Sequence, residues 1–192
     1  MVSSRYLVLA GLFLPLVALA HSDGGASGTG FVNGLIHPVT GLDHVIAMVA
    51  VGLWGAQLGM PALWLLPVAF PMIMALGGAV GAAGVPLPGI EIGIAASGLL
   101  LGLAVLGNVR PPLWVAVLLV SFFAIFHGHA HGAEMPGFAN PLAFAAGFVI
   151  ATGLLHLSGI ALGLLWRWPQ GRWVVRGSGA VIAVVGGWFL FT

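Results

Sequence analysis

"PPLWVAVLLVSFFAIFHGHAHGAE", residues 111–134, runs for sixteen positions without a charge and then sets three histidines and a glutamate into its last eight. At about 1.5 Å of rise per residue, such a stretch covers the roughly 30 Å hydrocarbon core of a bilayer. It reads as a membrane-spanning helix whose final turns are ionisable. The rest of the chain agrees with it. Of 192 residues, 60% are hydrophobic and 5% charged, and five Arg, no Lys and four acids are all that could coat a surface. The mean hydropathy is +1.16. That composition excludes a soluble globular domain and offers no basic patch for a nucleic-acid partner. With no Cys, disulfides and thiolate ligands are excluded as well.

The first twenty residues have the layout of a secretory signal peptide: Arg5 in a short basic region, an apolar stretch from Tyr6 to about Ala18, and a small-x-small site at Ala18-Leu19-Ala20. About 15 apolar residues fall short of the roughly 20 a span needs, so cleavage is expected, with His21 as the mature N-terminus. The remainder, 21–192, reads as one all-α domain, a bundle of six transmembrane helices at about 39–58, 61–84, 88–108, 111–133, 140–166 and 172–191. Pro38 and Gly41 predict a broken or re-entrant start to the first span. If the N-terminus is delivered outside, Arg110, Arg167, Arg172 and Arg176 all fall on the cytoplasmic side, as the positive-inside rule expects, while Asp23 and Glu134 lie outside. The expected location is the cytoplasmic (inner) membrane, with both termini periplasmic. Small residues four apart, as at Gly77/Gly81, Gly98/Gly102 and Gly159/Gly163, predict close helix packing.

Ionisable residues inside spans are expensive and should face an interior site. With this orientation three spans bring theirs to one level: His37, Asp43 and His44 in "HPVTGLDH", Glu91 near the start of the third span, and His127, His129, His131 and Glu134 at the end of the fourth. His127 and His131 are four apart and His131 and Glu134 three apart, so these three form one stripe, from which His129 points away. Asp43 suits either a ligand or the carboxylate that fixes the tautomer of His44. Imidazoles with carboxylates and no thiolates suit Ni²⁺, Co²⁺ and Zn²⁺. A mature His21 would add a chelating pair, its α-amine and its Nδ1.

Structural roles compete at several positions. Glu91 could serve only to favour a helix start. His156 has no His or acid beside it in its span; it suits either a hydrogen bond to a neighbouring helix's carbonyl or an inner ligand on the exit route. Met72, Met74 and the tryptophans read as packing and interfacial residues.

In its motifs the chain resembles the HupE/UreJ family of nickel/cobalt permeases: "HPVTGLDH" in the first mature span, "PVAFPMIMALGG" in the second, "PGIEIG" opening the third and "FHGHAHGAE" closing the fourth. The resemblance implies a secondary permease, not an enzyme, that takes up Ni²⁺, or in some members Co²⁺, to supply hydrogenase or urease. It implies metal as transported substrate and no permanently bound cofactor. Carried over by position, it points to His37, Asp43, His44, Phe70, Glu91, His127, His131 and Glu134, with His129 in a more permissive place. The partners expected are a divalent ion and the bilayer; no stable protein partner is readable. A competing class is an intramembrane hydrolase holding Zn²⁺ with the same residues, which would present an open coordination position to a lipid-accessible pocket. A haem protein is disfavoured by the acids beside the histidines.

Overall fold

The computed structural model describes residues 29–134 and 140–192. The expected signal peptide, His21 and Asp23 lie outside the described residues. Among those described, every element is helical: α1 Thr29–Thr40, α2 Leu42–Leu58, α3 Ala62–Ala82, α4 Ile90–Gly107, α5 Leu113–Ala133, α6 Pro141–Gly163, a short 3-10 turn Leu164–Arg167, and α7 Pro169–Phe189. Four of them, α3, α4, α5 and α6 with its 3-10 turn, are long and apolar enough to cross a membrane by themselves. The chain is a multi-pass helical membrane protein.

The first expected span, 39–58, extends further back than its composition suggested. α1 begins at Thr29 and carries Pro38 in its last turns, and α1 and α2 meet at an 80° bend. Pro38 lacks one backbone donor, and Gly41, in extended conformation, turns the chain into α2. The pair counts as a fifth crossing if it is one broken span. α7, where a sixth was expected, has 21 residues but is not apolar enough to be counted with the others. Gln170, Arg172 and Arg176 fall in its first two turns. Its middle is instead fitted to α4: a Cβ on Gly102 would strike the backbone at Ala183, and one on Gly186 the backbone at Leu99.

The two ends of the bundle differ in chemistry. At one end lie the start of α2, the start of α4 and the end of α5, with all the described acids. At the other lie Arg110, Arg167, Arg172 and Arg176. There the last carbonyls of α4, which have no partner within their own helix, are taken by side chains from α2 and α7. Gln57 Nε2 donates to Val105 O at 3.0 Å, Arg176 Nε to Leu106 O at 2.8 Å, and Trp54 Nε1 to Val109 O just beyond at 2.9 Å. These bonds fix α2, α4 and α7 to one another at the arginine end. The core between is aliphatic and aromatic, with Met48, Leu53, Trp54, Leu66, Phe70, Leu101 and Val120 all buried.

Candidate metal centre

α5 supplies two functional rows from the same motif. Gly128 and Gly132 face α3 so closely that a Cβ would overlap the carbonyl oxygens of Met74 and Gly78 respectively. Their neighbours His127 and His131, also four apart, turn toward α2. His44, in the first turn of α2, meets both: its Nε2 lies 3.0 Å from His127 Nδ1 and in close contact with His131 Nε2. From the last turn of α1, His37 Nε2 reaches Glu134 Oε2 at 3.5 Å, and its ring stands edge-on to His131 at 4.7 Å. One ligand atom each from His37, His131 and Glu134 falls within a 4.8 Å triangle. His131 thus belongs to two groups, an outer one with His37 and Glu134 and an inner one with His44 and His127.

A cavity of about 260 Å³ opens onto the outer group, lined among others by His37, Asp43, His44, Glu91, His131 and Glu134. Glu91 forms its α4 wall and has no ion-pair partner among the described residues. Further in, His127 is fully buried and rests edge-on against Phe70 of α3, with ring centroids 5.5 Å apart. His129 is not part of the cluster: its Nε2–H donates to Val85 O at 2.6 Å, fastening α5 to the α3–α4 connection. His156 is also apart from it, on the far side of Phe70.

Ser97, which spacing did not single out, adjoins the inner group. When its hydroxyl hydrogen goes to Ile94 O at 2.6 Å, the oxygen accepts toward His127 Nε2, 2.8 Å away. In that arrangement neutral His127 carries its proton on Nε2 and a lone pair on Nδ1. Across the gap, Asp43 Oδ1 accepts from the backbone N–H of His44 at 2.8 Å and lies 3.8 Å from its Nδ1. An anion there favours a proton on Nδ1 and a lone pair on Nε2. Two lone pairs facing at 3.0 Å repel unless a cation lies between them. That separation also suits two imidazole nitrogens at right angles on one ion, each about 2.1 Å from it. Three carboxylates, Asp43, Glu91 and Glu134, surround the cavity, and this donor set is of the kind that could hold a divalent cation. The clue to Ser97 was a hydroxyl in an otherwise apolar segment that also carries Glu91; nothing in its spacing pointed to His127.

Fold and site together define a multi-pass helical membrane protein with an imidazole and carboxylate cluster at one end. Residues 8–189 match the family described as HupE / UreJ protein. The chain is also 45% identical over 178 residues to Protein HupE of Rhizobium leguminosarum bv. viciae, covering 93% of this chain and 92% of that protein. It belongs to the HupE/UreJ family. No solved structure matches it.

Proposed function

We propose that the protein is a secondary uptake permease that moves Ni²⁺, or Co²⁺, from periplasm to cytoplasm, supplying the maturation of a hydrogenase or urease. What carries this reading is the buried meeting of His44 Nε2 with His127 Nδ1, at 3.0 Å, and with His131 Nε2, beside a cavity edged by Asp43, Glu91 and Glu134. Their ring orientations make sense with a cation between them. Membership of the HupE/UreJ family supports the same class.

In this reading the chain loses residues 1–20 as a signal peptide, and the mature domain crosses the inner membrane six times. The α1–α2 pair is one crossing, α7 is the sixth, and both termini are periplasmic. The arginines at the opposite end from Asp43, Glu91 and Glu134 support that orientation. His37, Glu134 and His131, with His21 of the mature N-terminus, catch the hydrated ion. Glu91 and Asp43 supply negative charge around it, and His44, His127 and His131 strip part of its water. His129, tied to Val85, is left out of the set. Phe70 closes the inner side, and His156 lies on the route beyond.

Energetics do not require a co-ion. A divalent ion moving inward gains about 2 × 2.3 kcal/mol per 100 mV of negative-inside potential. That sustains a concentration ratio above about a thousandfold.

One observation favours a second reading, an intramembrane Zn²⁺ hydrolase. An apolar cavity of about 200 Å³ between α3, α5 and α6, lined by Pro71, Met74, Phe144 and Phe148 among others, reaches His131 from the side. Radioactive Ni²⁺ uptake into proteoliposomes with a negative-inside potential separates the two. The permease reading expects accumulation that depends on the potential and is lost in His131→Ala and Asp43→Asn. Tight binding without accumulation inside would refute it and bring the hydrolase forward.

A further inference from the structure

A buried imidazole in a helical membrane protein ordinarily satisfies its N–H on a neighbouring carbonyl. His156 does not. It is 2% exposed, and neither Nδ1 nor Nε2 has a hydrogen-bond partner among the described residues. One turn earlier on the same face of α6, Thr152 is 1% exposed and its Oγ1 is also unpartnered. This is unusual among the hydroxyls of these helices: Ser97, Ser158 and Ser178 each donate to a carbonyl of their own helix. The structural role open to His156 from sequence therefore has no bond to express it. Two adjacent polar side chains are instead held in the bundle interior with their polar atoms free.

Their place in the fold is specific. Phe144, Phe148, Thr152 and His156 are four apart and form one ridge along α6. Phe144 and Phe148 pack on His37, and Phe148 also on His131, which puts the upper half of the ridge beside the outer group. From Phe148 to His156 is eight residues, about 12 Å along the helix. α2 gives the same depth independently: a Cβ on Gly52, eight residues beyond His44, would overlap His156 O. One side chain of α3 touches both levels. Phe70 is edge-on to His127 at 5.5 Å and edge-on to His156 at 5.7 Å. Pro67 and Pro71 remove two backbone donors from the part of α3 that bears it, so this turn is less tightly bonded than its neighbours.

We propose that Thr152 and His156 form a second cation station, inward of Phe70, which receives a divalent ion from the cluster at His44 and His127. The proposal rests on the permease reading. The station offers one imidazole and one hydroxyl, with water completing the shell, which favours Ni²⁺, Co²⁺ or Zn²⁺ over Mg²⁺ or Ca²⁺. It has no carboxylate, so it holds the ion more weakly than the outer site and is suited to passing it on. Displacement of the Phe70 ring joins the two levels.

The test uses the full-length protein, with Co²⁺ as an optical probe in detergent and Ni²⁺ uptake into proteoliposomes. Thr152→Val removes the hydroxyl at nearly constant volume, and His156→Gln removes the imidazole. Each is expected to keep the tight Co²⁺ equivalent within about twofold. Each should slow uptake about tenfold, the consequence of about 1.4 kcal/mol lost at the station. A second, weaker Co²⁺ band should vanish in His156→Gln yet survive in His44→Ala. Wild-type uptake rates in both variants would overturn the station while leaving the permease reading intact. Loss of the tight equivalent in both would overturn it too, since the residues would then be structural. Absence of accumulation by the wild-type protein removes the permease reading, and the station with it.

Discussion

Replacing Ser97 by Ala tests whether the orientation of His127 is set by a single hydroxyl. The substitution deletes the hydroxyl 2.8 Å from His127 Nε2, which accepts when its own hydrogen is on Ile94 O, at a position where both residues are fully buried. A net hydrogen bond is worth about 1 kcal/mol, and a buried donor left unpaired costs about 1–3 kcal/mol. Either the proton stays on Nε2 at that cost, or it moves to Nδ1 and removes the lone pair facing His44. Both outcomes weaken metal binding, by between about fivefold and a hundredfold at 1.4 kcal/mol per decade. Calorimetric Ni²⁺ titration of the purified protein measures the loss. The ¹⁵N spectrum of labelled histidines in metal-free protein reports the tautomer directly: Nε2-protonated His127 in the wild type, a mixed or reversed signal in Ser97→Ala. Ser158→Ala is the control, since Ser158 also donates to its own helix, at Leu155 O, but is exposed. Unchanged Ni²⁺ affinity together with an unchanged tautomer in Ser97→Ala would refute the reasoning.

Gly128→Ala should lower the thermal midpoint in detergent, because its Cβ would overlap Met74 O; overpacking of this kind costs about 1–3 kcal/mol. Gly153→Ala, with open space around its Cβ, should leave the midpoint equal or higher, and equal shifts in the two would contradict the packing. Glu134→Gln should hardly change stability, since its side chain is 64% exposed and exposed ion pairs contribute about 0–1 kcal/mol. It should raise the Ni²⁺ concentration needed for half-maximal uptake, and an unaltered uptake curve would remove Glu134 from the capture step. Sequencing the N-terminus of the membrane-inserted protein should return His21-Ser22-Asp23; a chain beginning at Met1 would end the chelate idea for His21.

Sequence reading went furthest where one element decides the answer. The His127, His131 and Glu134 stripe follows from helical spacing within α5, and the glycines that dock α5 on α3 are visible in the same motif. Pro38 and Gly41 announce a break, but not its 80° angle, which is set by how α1 packs on α6 and brings His37 over His131. Ser97 was illegible for a different reason. A serine in an apolar helix usually bonds back to its own backbone, and Ser97 does so while also meeting His127. α7 shows the limit of composition: two arginines and many small residues dilute its apolar signal, yet its glycines match those of α4. For His156 the sequence left two roles standing, a hydrogen bond to a neighbouring carbonyl and an inner ligand, and only the fold shows that neither nitrogen has a hydrogen-bond partner among the described residues.

The close fit of Gly128 and Gly132 to α3 also says what can move. α3 and α5 share a broad contact, as do α4 and α7, and α6 with both α1 and α2, whereas α3 and α6 touch only narrowly. Helices packed backbone to backbone resist moving apart, which groups the seven into three sets: α3 with α5, α4 with α7, and α6 with α1 and α2. A plane of weak contact lies between α3 and α6, where the apolar cavity beside His131 is found and where Phe70 meets His156. A slide along it alters the spacing across Phe70 while leaving the Gly128 and Gly132 contacts with α3 closed. That plane is where a cross-link between α3 and α6 would freeze the protein, and one between α3 and α5 would not.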